Sequence, residues 1–123
     1  MDGDTFVLQT SEGSFKVRMD GIDAPEKDQP FGDESKKFMD KYLYKECLVT
    51  VKGYDKYQRA LGVLFVDGIN INLLSVQEGF SWHYKKYSTD KALSDAEISA
   101  SKEKKGLWVY PDVMPPWDWR HRK

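Results

Sequence analysis

Strict alternation of apolar and polar residues runs through residues 15–20: Phe15, Val17 and Met19 fall on one face, Lys16, Arg18 and Asp20 on the other. This is the period-two signature of a half-buried strand with its charges on the wet face. The spacing predicts a strand over 15–22, broken at Gly21 and ended by Pro25, since proline cannot donate to a ladder and restricts the residue before it. Residues 6–10 are rich in β-forming types, and Ser11-Glu12-Gly13-Ser14 between the two runs predicts a hairpin turn. A hairpin brings its open ends together, so Asp4 is expected near Asp23, with Arg18 part-way along the same ribbon. Further strands are predicted over 48–54 and 60–66, joined by the charged aromatic turn Tyr54-Asp55-Lys56-Tyr57-Gln58-Arg59 and followed by a tight turn at Asp67-Gly68. A last short strand is expected over 80–84.

Elsewhere the period changes to that of helices. Gly32-Asp33-Glu34 opens one, with acids in the first turn where the helix dipole favours them. Phe38, Met39, Tyr42 and Leu43 give it a single apolar face, marking a core helix with no cofactor implied. Asn72 is expected to cap a short helix over 73–78 that stops at Gly79. Ser88 or Thr89 is expected to cap a longer one running to about Lys105 and stopping at Gly106, with Ala92, Leu93, Ala96 and Ala100 as its buried stripe. Several short antiparallel strands with added helices predict an α+β, mainly β architecture. A five-stranded OB-fold β-barrel with three helices fits best, and an α+β sandwich is the alternative. Residues 1–123 are expected to form one domain, with 107–123 a Trp- and Pro-rich C-terminal extension whose tryptophans pack down on the body in preference to stacking on bases. The abrupt opening on Met1-Asp2-Gly3-Asp4-Thr5 leaves no room for an earlier strand, so a truncated N-terminus is expected.

Composition narrows the class. The chain has 123 residues, of which 40% are hydrophobic and 32% charged, a globular balance at a length that needs no disulfide staples. Cys47 is the only cysteine, which excludes a disulfide framework or a cysteine-based zinc site. Its place before Leu48-Val49 predicts a small buried hydrophobe. No run of about 18 apolar residues occurs, so no membrane span is expected. A net charge of −1 argues against diffuse attraction to nucleic acid but permits a compact cationic site. The basic clusters Lys85-Lys86, Lys102 with Lys104-Lys105, and Arg120-His121-Arg122-Lys123 are expected to be solvated faces.

Candidate chemistry centres on Arg18, Asp23 and Glu26. An always-charged, five-donor fork beside two carboxylates suits a phosphate and a hard metal ion together. The same residues also fit a surface strand with an ordinary Arg–Asp pair. An EF-hand beginning at Asp2 is excluded, because its twelfth position falls on Gly13 where a bidentate acid is needed. Arg59 stands where a hairpin turns over, aimed either into a cleft or at solvent. His83 and His121 lie in no motif and are expected to be structural.

Taken in order, Asp-Gly-Asp-Thr at 2–5, Arg-x-x-x-Ile-Asp-Ala-Pro-Glu at 18–26 and Asp-x-Tyr-x-Arg at 55–59 resemble the staphylococcal nuclease family. Asn72, Gly79 and the Lys105-Gly106-Leu107-Trp108 ending match its pattern too. The resemblance implies a Ca²⁺-dependent nuclease that cleaves DNA and RNA at the 5′ P–O bond and leaves 3′-phosphates. It implies that Asp4 and Asp23 hold the Ca²⁺ with the Thr5 carbonyl close by, that Glu26 orients or deprotonates the attacking water, and that Arg18 and Arg59 grip the scissile phosphate. It places Tyr57 near the bound nucleotide and offers Tyr84 or Tyr87 as the base-stacking aromatic. Ala24 replaces the founding member's threonine, Gln58 stands where glycine often precedes the second arginine, and the loop after Glu26 is short. A monomer that is secreted or periplasmic is the accompanying expectation. The rival readings are a non-catalytic OB-fold module that binds nucleic acid or protein, and a purely structural domain. The first typically lacks the arginines and carboxylates that are present here, and the second gives buried charge no purpose.

Overall fold

The computed structural model describes residues 3–122. Met1, Asp2 and Lys123 lie outside the described residues, and so does the Asp2 carboxylate of the first motif; nothing is described of the Leu43 side chain. The predicted hairpin forms from β1 (Thr5–Thr10) and β2 (Gly13–Met19), paired antiparallel from Thr5↔Arg18 to Thr10↔Gly13. Gly21, at φ 79, then turns the chain off this sheet. The predicted return strand therefore splits, and Ile22–Asp23 becomes β3. Next come α1 (Gly32–Leu43), β4 (Leu48–Tyr54), β5 (Ala60–Val66), β6 (Ile69–Asn70) and α2 (Ile71–Gln77). The chain continues through β7 (Trp82–His83), α3 (Lys91–Lys102), a 3-10 turn (Gly106–Val109) and α4 (Pro116–Trp119).

The architecture is mixed α+β. The main sheet runs β1-β2-β5-β4, with β6 on β5, and β3 pairs separately with β7. The β2–β5 ladder is parallel, a pairing between distant segments that alternation does not reveal. Among the described residues no ladder joins β1 to β4, so the sheet stays open where a closed barrel was expected. The fourth helix, α4, comes from the Trp-rich segment. No helix among the described residues is long and apolar enough to cross a membrane.

The core forms where α1, α2 and α3 bring their apolar sides against the sheet. Val17, Met19, Leu64, Ile71 and Val76 are all fully covered. The β2 alternation holds at Val17 and Met19 but fails at Phe15, which is exposed. Only Val17 to Met19 are paired to β5, so Phe15 rides on a two-stranded tip. Cys47 is exposed, not buried as expected, because it precedes β4, the edge of the sheet, where Leu48 is exposed too.

Several helix boundaries differ from expectation for one reason, that a neighbouring side chain serves the role better. Asn70, not Asn72, caps α2 by accepting from the Leu73 N–H at 3.0 Å. Asn72 is buried instead. It accepts from Leu64 N–H and donates to the carbonyls of Asp20 and Gly62, tying β5 to the end of β2. Asp90, not Ser88 or Thr89, caps α3, which stops at Lys102. Ala92 is exposed, and Glu97 takes a buried place on the stripe by accepting the His83 N–H at 3.0 Å and pairing with Lys85. The tryptophans pack as expected: Trp82 lies 4.5 Å from Trp108 and 5.6 Å from Trp117, centroid to centroid.

Candidate functional site

The open end of the β1–β2 hairpin builds the first half of the site. The Met19 N–H donates to the Asp4 carbonyl at 2.8 Å, locking the chain entrance to the end of β2. Asp4 is thereby turned inward, where Oδ2 accepts the Ala24 N–H at 2.8 Å and Oδ1 accepts the Thr5 hydroxyl at 3.1 Å. Asp23 is carried to the same place by the β3–β7 pair, opposite Trp82. Arg18 reaches both acids. Its Nη2 lies 3.6 Å from Asp4 Oδ2 and 3.5 Å from Asp23 Oδ1, while Nη1 donates to the Met19 carbonyl at 2.9 Å. The Arg18 side chain is only 13% exposed, so the supposed wet face of β2 is covered at Arg18, by acids and by Tyr84, whose ring centre is 5.9 Å from the guanidinium carbon, while Lys16 on the same face is exposed.

Burial pushes the Asp23 carboxyl up to about 6. The hydrogen bond from Arg120 opposes the rise, Asp4 adds to it by repulsion, and the charges of Arg18 and Arg120 oppose it. Burial therefore outweighs the two guanidiniums at this carboxylate.

Glu26 is positioned by the turn that follows it. Its N–H donates to Gln29 Oε1 at 3.0 Å and its carbonyl accepts the Gln29 N–H at 3.0 Å. Gly32 is required here by close approach, since a Cβ at that position would collide with the Glu26 carbonyl. Gln29 in turn donates to the Met114 carbonyl at 2.6 Å, joining this turn to the Trp-rich segment.

That segment supplies Arg120, a residue of the basic cluster expected to be a solvated face. Arg120 forms a two-pronged pair with Asp23, Nη1 to Oδ1 at 3.0 Å and Nη2 to Oδ2 at 2.8 Å. The same Nη1 donates to Glu26 Oε1 at 2.8 Å, and Nη2 to the Tyr84 hydroxyl at 3.2 Å. The available signal was its position directly after Trp117-Asp118-Trp119, where packed tryptophans fix the path of the next residue. Trp117 stacks on Tyr84 with planes 5° apart, and Trp119 Nε1 donates to Asp28 at 3.0 Å. The Asp28 carboxyl is held below the usual range by that Trp119 bond and by Arg122.

Of the other expected site residues, Arg59 and Tyr57 belong to a separate turn organised by Asp55. Arg59 Nε donates to Asp55 Oδ2 at 2.7 Å, and the Arg59 and Tyr57 N–H groups both donate to Asp55 Oδ1 at 2.9 Å. Those bonds outweigh partial burial and hold the Asp55 carboxyl low. The Arg59 guanidinium carbon is 5.5 Å from the centre of the exposed Tyr57 ring. Gln58 adopts φ 63, the left-handed conformation for which glycine is suited. Tyr84 lies at the acid cluster, whereas Tyr87 is exposed and edge-on to it. His83 is buried in β7 with Nε2 3.0 Å from Ser88 Oγ, and His121 is exposed.

Among the described residues no three His, Cys, Asp or Glu side chains form a ready metal cage. Asp4 and Asp23 are the pair whose oxygens suit a hard cation, with Glu26 brought to Asp23 through Arg120.

Comparison with known proteins bears on the chain as a whole. Residues 16–110 match the family described as staphylococcal nuclease homologue. An Escherichia coli protein named "Uncharacterized endonuclease" is 40% identical over 125 residues, covering 100% of this chain and 82% of that protein. Its Haemophilus influenzae counterpart is 41% identical over 124 residues, covering 99% of this chain and 70% of that protein. A Shigella flexneri protein named "Micrococcal nuclease" is 36% identical over 132 residues, covering 98% of this chain and 76% of that protein.

Proposed function

The chain belongs to the staphylococcal nuclease homologue family, and we propose that it is a Ca²⁺-dependent nuclease hydrolysing DNA and RNA at the 5′ P–O bond to leave 3′-phosphates. The observation that carries this reading is the convergence of Asp4, Arg18 and Asp23, with Glu26 alongside, on one buried spot. A single guanidinium nitrogen lies within 3.6 Å of both aspartates. The donor set fits Ca²⁺: the ligating atoms are oxygens, and Asp23 carries repulsion from Asp4 that a cation relieves. Asp4 and Asp23, with the Thr5 carbonyl beside them, would hold the ion. When bound, it supplies charge neutralisation for the phosphate oxygens.

The chain's own residues supply the rest. Arg18 presents a planar fork at a nearly closed site, where charge building on the phosphate is stabilised most. Arg59 grips from the neighbouring turn, exchanging Asp55 for phosphate. Glu26 takes the proton of the attacking water as the water oxygen bonds to phosphorus. The P–O5′ bond breaks, and the leaving oxygen takes a proton from solvent. Tyr84 offers a ring beside the scissile position for base stacking, with Tyr57 and Tyr87 further out. Arginine does not serve as the acid, because its pKa is too high.

The test is release of acid-soluble nucleotide from denatured DNA and from RNA, with Ca²⁺ and then with a chelator. Release that stops with chelator and leaves 3′-phosphate ends is expected; folded protein that releases nothing with Ca²⁺ overturns the reading in favour of a binding module. Glu26→Gln should bind Ca²⁺ normally and lose about 10² to 10⁴ in turnover. Loss of Ca²⁺ binding would make Glu26 a direct ligand.

A further inference from the structure

We propose that residues 113–122 form a self-blocking strap in which the Arg120 guanidinium occupies the acid cluster as a tethered cation, so that a metal ion must displace it to bind. The inference rests on the Ca²⁺ reading above.

The geometry of the cluster divides its two arginines. Arg18 stands off the acids at 3.5 and 3.6 Å, beyond good hydrogen-bond length. Arg120 makes the short contacts, engaging both oxygens of Asp23 at 2.8 and 3.0 Å and one oxygen of Glu26 at 2.8 Å. One fork thus occupies a proposed metal ligand and the proposed base together. A divalent cation on Asp23 would face that guanidinium at close range, where like charges repel. Because Arg120 already holds both Asp23 oxygens, the two occupants compete for the same atoms, whereas Arg18 keeps its longer pairings with Asp4 and Asp23.

The strap is attached as a removable element. It is held by stacking of Trp117 on Tyr84, the Trp119 and Arg122 bonds to Asp28, and the Gln29 bond to the Met114 carbonyl. α4 is only four residues long, and no main-sheet strand comes from this segment. Pro116 is buried and Trp117 also meets Trp82, but with no strand in the main sheet such side-chain attachments open at lower free-energy cost than the core. Opening uncovers Asp23 and Glu26 for metal and water, and the Tyr84 face for a base. Closing covers all three. The strap thus couples metal binding to access by nucleic acid.

A strap closed nine-tenths of the time weakens apparent affinity about tenfold. The experiment is a calorimetric Ca²⁺ titration of the full chain, wild type against Arg120→Gln, with tryptophan emission followed in parallel. Arg120→Gln is expected to bind Ca²⁺ about tenfold more tightly. Ca²⁺ should shift wild-type emission as Trp117 leaves Tyr84, and Arg120→Gln should start near the shifted value. Equal or weaker affinity in the variant overturns the strap while leaving the metal reading intact. Absence of Ca²⁺ binding in both proteins removes the metal reading and the strap with it. If Arg120→Gln melts early, Arg120→Lys serves instead. It keeps the charge but loses the fork, so intermediate affinity supports the strap and wild-type affinity overturns it.

Discussion

Arg18, on β2, and Arg59, at the mouth of β5, approach the same parallel ladder, in which Arg18 pairs with Leu61. Their partners differ in kind. Arg59 takes Asp55, four residues away within its own turn. Arg18 takes Asp4 and Asp23, which meet only after the hairpin has closed and β3 has docked on β7. Arg120 extends that cluster across a separation of 97 residues. A local pair can form early and costs little to break. A cluster of buried charges exists only in the finished fold, and each member depends on the others staying charged.

The largest test of this contrast is turnover. Arg18→Lys and Arg59→Lys should each lose about 10²-fold or more in nucleotide release, because lysine cannot reproduce the fork. Near-normal turnover in either variant would remove that residue from the phosphate clamp. Stability should then separate the pair. Arg18→Met takes the guanidinium from between the buried Asp4 and Asp23, leaving Asp23 its Arg120 pair, and denaturant unfolding should show a loss of about 3 kcal/mol. Arg59→Met breaks a part-exposed pair and should cost under about 1 kcal/mol. Equal losses would mean that the cluster is no more cooperative than the turn.

The pH dependence sharpens the same point. Asp23 has its folded pKa raised, from 3.8 to about 6, so between these values the folded protein holds more protons than the unfolded chain. Its contribution is therefore fully present below pH 3.8 and is lost as pH rises through about 6. Measured as wild type minus Asp23→Asn, stability should fall across this window by on the order of 3 kcal/mol at most. A difference that rises with pH would show that the guanidiniums outweigh burial. The smallest effect belongs to the turn. Gln58→Gly relieves a left-handed backbone and should stabilise by about 0.5 to 1 kcal/mol, since the relief slightly exceeds the entropy glycine adds to the unfolded chain.

Legibility in the sequence followed the same division between local and distant partners. The β1–β2 hairpin, α1 and the 60–66 strand were readable because each is set by its own periodicity and turn residues. That Asp4 and Asp23 would be neighbours was also readable, but not the means: the hairpin sets Asp4, and Asp23 is carried in by the distant β3–β7 pair. The surface position of Cys47 was not, because an edge strand and a central strand share one apolar pattern. The exchange of Asn72 for Asn70 as cap was hidden by two asparagines of equal local merit, only one of which faces Gly62 and Asp20 in the fold.

Sequence by itself determined the acids, the first arginine, the glycine break that carries Asp23 off the sheet and the turn that sets Arg59 beside Asp55. Those depend on residue type and on spacings of a few residues, over which backbone geometry leaves few choices. Tertiary structure alone decided that β2 pairs in parallel with β5 and that Arg18 is covered. It alone carried a basic residue near the far end of the chain into the acid cluster. Such contacts are selected by burial and charge compensation among segments far apart in sequence, and neither periodicity nor local propensity records which distant segment will answer.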